Sequence, residues 1–155
     1  MKQHRRLGTG TALLTAAALG SLALAPAATA VEPTTATMAF ECSSFGSGSA
    51  TLTATQDGTA ATINLSTSAI KSPFPLSANS ISSTLTLTKN GSGTATFTGR
   101  ANPAIPAGAT VSTGPLKGTV AAGDSLEAES LTVVVFGISV ACHATSPQDP
   151  GPFVF

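Results

Sequence analysis

Between Thr51 and Ser66 the chain alternates in character with a period of two. Thr51, Thr53 and Thr55 point one way and Leu52 and Ala54 the other. After Asp57-Gly58, Ala61, Ile63 and Leu65 alternate with Thr62, Asn64 and Ser66. Successive side chains of an extended chain leave on opposite faces, so this is a β-hairpin with one apolar and one hydroxyl-rich face. Asp-Gly suits its turn because glycine accepts the positive φ of a primed hairpin turn. The pattern returns from Ser80 to Gly99. There Ile81, Leu85 and Leu87 oppose Ser82, Thr84, Thr86 and Thr88, and Asn90-Gly91 turns the chain. Thr94, Thr96 and Thr98 then alternate with Ala95 and Phe97. Two such copies make similar hairpins rather than a solenoid, which needs three or more repeats.

Helical periodicity is missing after Ala30. Lys71-Ser72-Pro73-Phe74-Pro75 and Asn102-Pro103-Ala104-Ile105-Pro106 read as crossings between sheets, because proline gives no N–H to a central ladder. Short strands are expected at 110–113 and 118–122. Ser125 to Cys142 is the most apolar stretch and reads as a central strand buried on both faces, with Gly137 marking a bulge or bend. Its apolar part, about a dozen residues, is too short to span a membrane as a helix.

This pattern, about seven to nine short strands with regular turn signals, predicts an all-β fold. The expected form is a two-sheet antiparallel sandwich of immunoglobulin-like character. The usual tryptophan between the sheets is missing, so the architecture is expected and not the topology. An outer-membrane barrel is the rival. It is disfavoured because such barrels carry aromatic girdles and this chain has no Trp or Tyr.

The chain divides into residues 1–30, a domain at 31–146 and a proline-rich tail at 147–155 that is expected to lie across the surface or fray. Lys2, Arg5 and Arg6, then an Ala/Leu-rich run, then Ala28-Thr29-Ala30 form the three-part layout of a secretory signal peptide cleaved after Ala30. Arg5-Arg6 read better as an ordinary basic n-region than as a twin-arginine signal. The remaining 125 residues suit one domain that buries roughly two-thirds of its unfolded surface. In an oxidising compartment the two cysteines have one possible pairing, Cys42 to Cys142. Closing a loop of that length stabilises by about 4.7 kcal/mol in the chain-entropy picture. Beyond residue 30, four basic residues face seven acidic ones, leaving −3. Such a surface suits neither nucleic acid nor anionic membranes as partners.

The inventory for catalysis is thin. His143 is the one histidine after residue 30, and it should face outward if Cys142 faces inward. No GxSxG elbow supplies a nucleophile. Glu127 and Glu129 should share a strand face with Asp124 nearby. These three are the weak candidates for a calcium site or a glycosidase-type carboxylate pair. Against that, charges at a strand end discourage edge pairing. No glycine-rich phosphate loop precedes a helix, and no metal or cofactor is expected. Asn64-Leu65-Ser66 and Asn90-Gly91-Ser92 fit the N-glycosylation pattern. The TxT rows resemble flat ice-binding faces, but threonine also has high strand propensity and a twisted sheet lacks that flatness. The rows are therefore read as solvated outer faces.

The basic-then-alanine-rich leader, the MAFEC opening, the ANPAIPAGATVSTGPLKGTV middle and the LTVVVFGISVAC close resemble the uncharacterised small secreted β-sandwich proteins of actinobacteria. That resemblance implies export and a sandwich fold, and it brings no established activity. The chain is also similar in size, export and Thr/Ala/Gly richness to secreted enediyne-carrier apoproteins. Those typically have two disulfides where this chain has two cysteines. The expected role is a secreted, non-enzymatic module that binds an extracellular macromolecule or cell-envelope component, or serves structurally. The alternatives are a small-ligand carrier with a cleft between sheets and a hydrolase working through Glu127 and Glu129.

Overall fold

The structure is a computed structural model that describes residues 30–155; the leader expected at 1–30 therefore lies outside the described residues except for Ala30. Among the described residues nine strands follow one another: β1 (Thr35–Glu41), β2 (Ser47–Asp57), β3 (Ala60–Lys71), β4 (Ser82–Lys89), β5 (Gly93–Gly99), β6 (Thr110–Thr119), β7 (Ser125–Val135), β8 (Ile138–Ala144) and β9 (Phe153–Val154). A 3-10 turn at Ser43–Phe45 links β1 to β2. Among the described residues no helix is long and apolar enough to cross a membrane.

The strands do not form the two-sheet, immunoglobulin-like sandwich that the sequence predicts. They close an eight-stranded antiparallel barrel in the order β4-β5-β6-β3-β2-β1-β8-β7, and β7 returns to β4. β9 lies outside this ring, paired with β7 at Leu126↔Phe153. Sandwich and barrel make the same demand on a sequence: alternation, with the apolar side inward. What separates them is whether the outermost strands find each other. Here they do, and closure removes every free edge of the eight-stranded ring.

Both hairpins form as read. β2 and β3 pair through Leu52↔Leu65 and Ala54↔Ile63, and β4 and β5 through Leu85↔Phe97 and Leu87↔Ala95. The segments 110–113 and 118–122, expected as two strands, are largely one strand, β6. The stretch from Ser125 to Cys142 is not one central strand either. It is a hairpin that turns at Phe136-Gly137, both at positive φ, the requirement of a type I′ turn.

The interior is apolar. Leu52, Ile63, Leu87, Phe97, Leu116 and Leu126 are fully buried. Each such side chain contributes about 1.5–3 kcal/mol on removal from water. The threonines that alternate with them, Thr51, Thr53 and Thr55 among them, are exposed. A barrel facing lipid needs the reverse polarity, with an apolar band outward.

The tail is part of the wall. Phe153 and Phe155 are buried, with ring centroids 6.4 Å apart in an edge-on arrangement. Beyond Ser130↔His143, β8 leaves β7, and the tail takes its place. The Ala128 N–H donates to Gln148 Oε1 at 2.5 Å. On the other side Thr37 and Asp149 exchange two backbone hydrogen bonds of 2.8 Å, and Glu32 and Val154 exchange another pair. The tail is anchored, with Gln148, Phe153 and Phe155 buried, while Pro147, Asp149, Pro150, Gly151 and Val154 stay exposed. Its polar backbone closes a seam that would otherwise leave N–H and C=O groups of β1 and β7 unpaired.

Candidate ligand-binding site

One end of the barrel is packed and the other is hollow. At the packed end, Phe97, Phe153, Leu116 and Leu126 fill the interior. Toward the other end two inward positions are small, Ala50 on β2 and Ser83 on β4. The wall also opens there. β3 and β6 skip from Thr67↔Val111 to Lys71↔Thr110, so their ladder loosens toward this end. Small side chains and a widened wall leave a cavity of about 330 Å3. Leu65, Leu85, Leu131, Val133 and Val140 line it, together with the Cys42–Cys142 disulfide.

Loops that are unusually apolar rim the cavity. Phe45 lies in the 3-10 turn, Phe74 in the β3–β4 connection, and Phe136 and Ile138 at the β7–β8 turn; all four line the cavity and are exposed. Phe136 is the most open at 71% exposure. It also sits at φ 52°, in the left-handed region that favours Gly, Asn and Asp and is strained for a bulky residue. An exposed aromatic in a strained turn position satisfies neither burial nor backbone preference. Residues of this kind cluster at ligand clamps and other functional sites.

The hydroxyls in the cavity wall are mostly engaged. Ser72 Oγ donates to the Phe74 carbonyl at 2.6 Å, Thr67 Oγ1 to that of Ser49 at 2.7 Å, and Thr113 Oγ1 to that of Gly114 at 2.8 Å. Among the buried hydroxyls of the wall Ser83 is the exception: its Oγ has no hydrogen-bond partner. The charged side chains of the lining, Lys71, Glu129 and His143, are all exposed.

The carboxylates singled out in the sequence do not converge. Asp124 sits at the packed end and is fully engaged by the protein. Lys89 Nζ reaches its Oδ2 at 2.8 Å, the Ala121 N–H donates to Oδ2 at 2.8 Å, and Asn90 Nδ2 donates to Oδ1 at 3.3 Å. The Lys89 ammonium above all, then the Ala121 amide, hold its carboxyl below the usual value against the opposing effect of desolvation. Glu127 and Glu129 lie beside a register shift in β7: Thr86 pairs with Ser130 and Leu87 with Ala128, leaving Glu129 as the extra residue of a bulge. Glu129 is exposed and accepts from Thr88 Oγ1 at 3.3 Å. Among the described residues no three His, Cys, Asp or Glu side chains are grouped to hold a metal ion.

Cys42 and Cys142 form the expected disulfide. β1 and β8 pair only at Phe40↔Ala144 and Glu41↔His143, and Cys42 with Cys142 is the next step of that register. The covalent bond therefore continues the ladder where the backbone pairing stops. His143, next to buried Cys142, is exposed.

Alternation does not disclose the cavity, which depends on how strands far apart in sequence curve around one another. One signal was present. Val135-Phe136-Gly137-Ile138 is a turn without a polar residue, and turns on a solvated surface are normally polar. Compared with known proteins, the chain matches no family model, no curated protein and no solved structure.

Proposed function

We propose that this barrel is a carrier that holds one small apolar molecule in its open end. The observation that carries the reading is the hydrocarbon-lined cavity of about 330 Å3 with Phe45, Phe74 and Phe136 exposed around its rim. Eight strands enclose an interior just wide enough for side chains or for one small ligand. Here side chains fill one end only. The volume lies at the lower end of the range for small-molecule sites, and the predominance of apolar lining with few polar groups is typical of them. Exposed apolar clusters of this kind mark binding surfaces. The place of action we propose is extracellular or in the cell envelope, with the disulfide as support, since such bonds persist in oxidising compartments.

Titration with the neutral fluorescent dye N-phenyl-1-naphthylamine tests the reading. Saturable binding at one site with a blue-shifted emission is expected. Val133→Trp, which places a large ring in the cavity, should abolish it while the protein stays folded by circular dichroism. Dye emission unchanged by the protein, or equal binding by the Trp variant, would overturn the proposal.

The same exposed phenylalanines favour a second reading, in which the rim docks a macromolecular partner. In that case Phe74→Ser and Phe136→Ser would abolish partner binding and leave dye uptake intact.

A further inference from the structure

Resting on the carrier reading, we propose that Ser83 is the polar anchor of the cavity, and that its ligand is a neutral, mostly hydrocarbon molecule bearing one hydroxyl or carbonyl group. Ser83 lies on β4 in the inward row that continues with Leu85 and Leu87, and it is 2% exposed. Among the described residues only Ser83 Oγ and Gln56 Oε1 are buried side-chain polar atoms without a partner, and of the two residues Ser83 lines the cavity. Both edges of β4 are paired at this position, to Gly99 on β5 and to Val133 on β7, so the neighbouring backbone is committed to the ladder. A hydroxyl buried among leucines and valines without a partner is disfavoured, and buried polar groups are nearly always hydrogen-bonded. A ligand that brings a donor or acceptor to Ser83 removes that deficit.

Charge and number follow from the rest of the wall. An ionised group beside Ser83 would lose its hydration with no buried opposite charge to compensate, because Lys71, Glu129 and His143 in the lining are all exposed. The ligand is therefore neutral. The buried hydroxyls of Ser72 and Thr113 already donate to backbone carbonyls, which leaves one polar contact to be made deep in the cavity.

The test compares 4-butylphenol with butylbenzene, which share a body and differ by one hydroxyl, by calorimetric titration of the wild-type protein and the Ser83→Ala variant. A net neutral hydrogen bond corresponds to roughly three- to tenfold in affinity. The Ala variant should lose about that factor for the phenol and hold or gain affinity for the hydrocarbon. Without ligand it should melt no lower than wild type, since it loses an unpartnered hydroxyl. Equal shifts for the two compounds, dye binding with neither compound bound, or a lowered melting temperature of the empty variant would each overturn the anchor and leave the carrier reading standing. Failure of dye and both compounds to bind the wild type would overturn both.

Discussion

The ring of Phe97 occupies the space beside Gly118: a Cβ placed on that glycine would lie 2.7 Å from the ring. Phe97 is fully buried on β5, and Gly118 is on β6, the neighbouring strand. β5 and β6 share one ladder pair, Thr98↔Lys117, and this stacking of a large ring on a bare backbone adds to it. Gly118→Ala should destabilise by about 1–3 kcal/mol, the usual effect of overpacking a filled core. Denaturant melts of Gly118→Ala alone and combined with Phe97→Leu check this. The smaller side chain should recover part of the loss, and a strictly additive double variant would contradict the contact.

The disulfide extends a seam of two backbone pairs between β1 and β8. Replacing both cysteines by alanine should lower stability by up to about 4.7 kcal/mol, the chain-entropy value for a loop of about 100 residues. Urea unfolding with and without reductant measures it. Reduced wild type and the double variant should coincide. Because the bond also lines the cavity, dye affinity should fall in both.

Phe153 anchors the tail in the packed end. Phe153→Ala should cost about 3–5 kcal/mol, as for other phenylalanines removed from a core. Hydrogen exchange locates the damage. The Thr37 and Val154 amides, which pair across the seam, should lose protection, while the β2–β3 hairpin should keep it. A tail that merely lay on the surface would show no such loss.

Asp124 ties the β6–β7 loop to the β4–β5 turn through Lys89 and Asn90. Its carboxyl is held below the ordinary value of 3.8, chiefly by the Lys89 ammonium and next by the Ala121 amide. A folded pKa below the unfolded one adds stability that is fully present above the unfolded value. That stability disappears as pH falls through the lower, folded value. Wild type should therefore lose this contribution on acidification below about pH 4. Asp124→Asn should be less stable at pH 7 and converge toward wild type at low pH. Thermal melts from pH 7 to pH 2 read both. A constant gap between the two would contradict the pairing.

Much of the wall was legible in the residues. Alternation about Asp57-Gly58 and Asn90-Gly91 located β2 through β5 and the inward row Leu52, Ile63, Leu85, Phe97, because side-chain period is a local property of an extended chain. The Ser125–Cys142 segment reads as one strand because its apolar residues on both faces imitate a buried strand, whereas it folds as the β7–β8 hairpin. In the structure Phe136 and Ile138 are exposed at the rim. The candidate site was hardly legible. Alternation puts Ser83 on the apolar face of β4 between Ile81 and Leu85, but nothing local shows that its hydroxyl is left without a partner beside a cavity, and the bulge at Glu129 moves the inward row from Leu126 and Ala128 to Leu131 and Val133.

Residue order alone fixes that this chain is built of strands, which side chains of the β2–β3 and β4–β5 hairpins turn inward, and which two sulfurs join. That β4 meets β7, that the tail fills the gap beside β8, and that one end of the barrel stays empty emerge only once the chain has closed. The physical reason is range. Alternation acts between adjacent residues, whereas closure and hollow volume depend on curvature and register summed over eight strands. A sandwich and a barrel therefore share one local pattern and differ only in which distant edges meet.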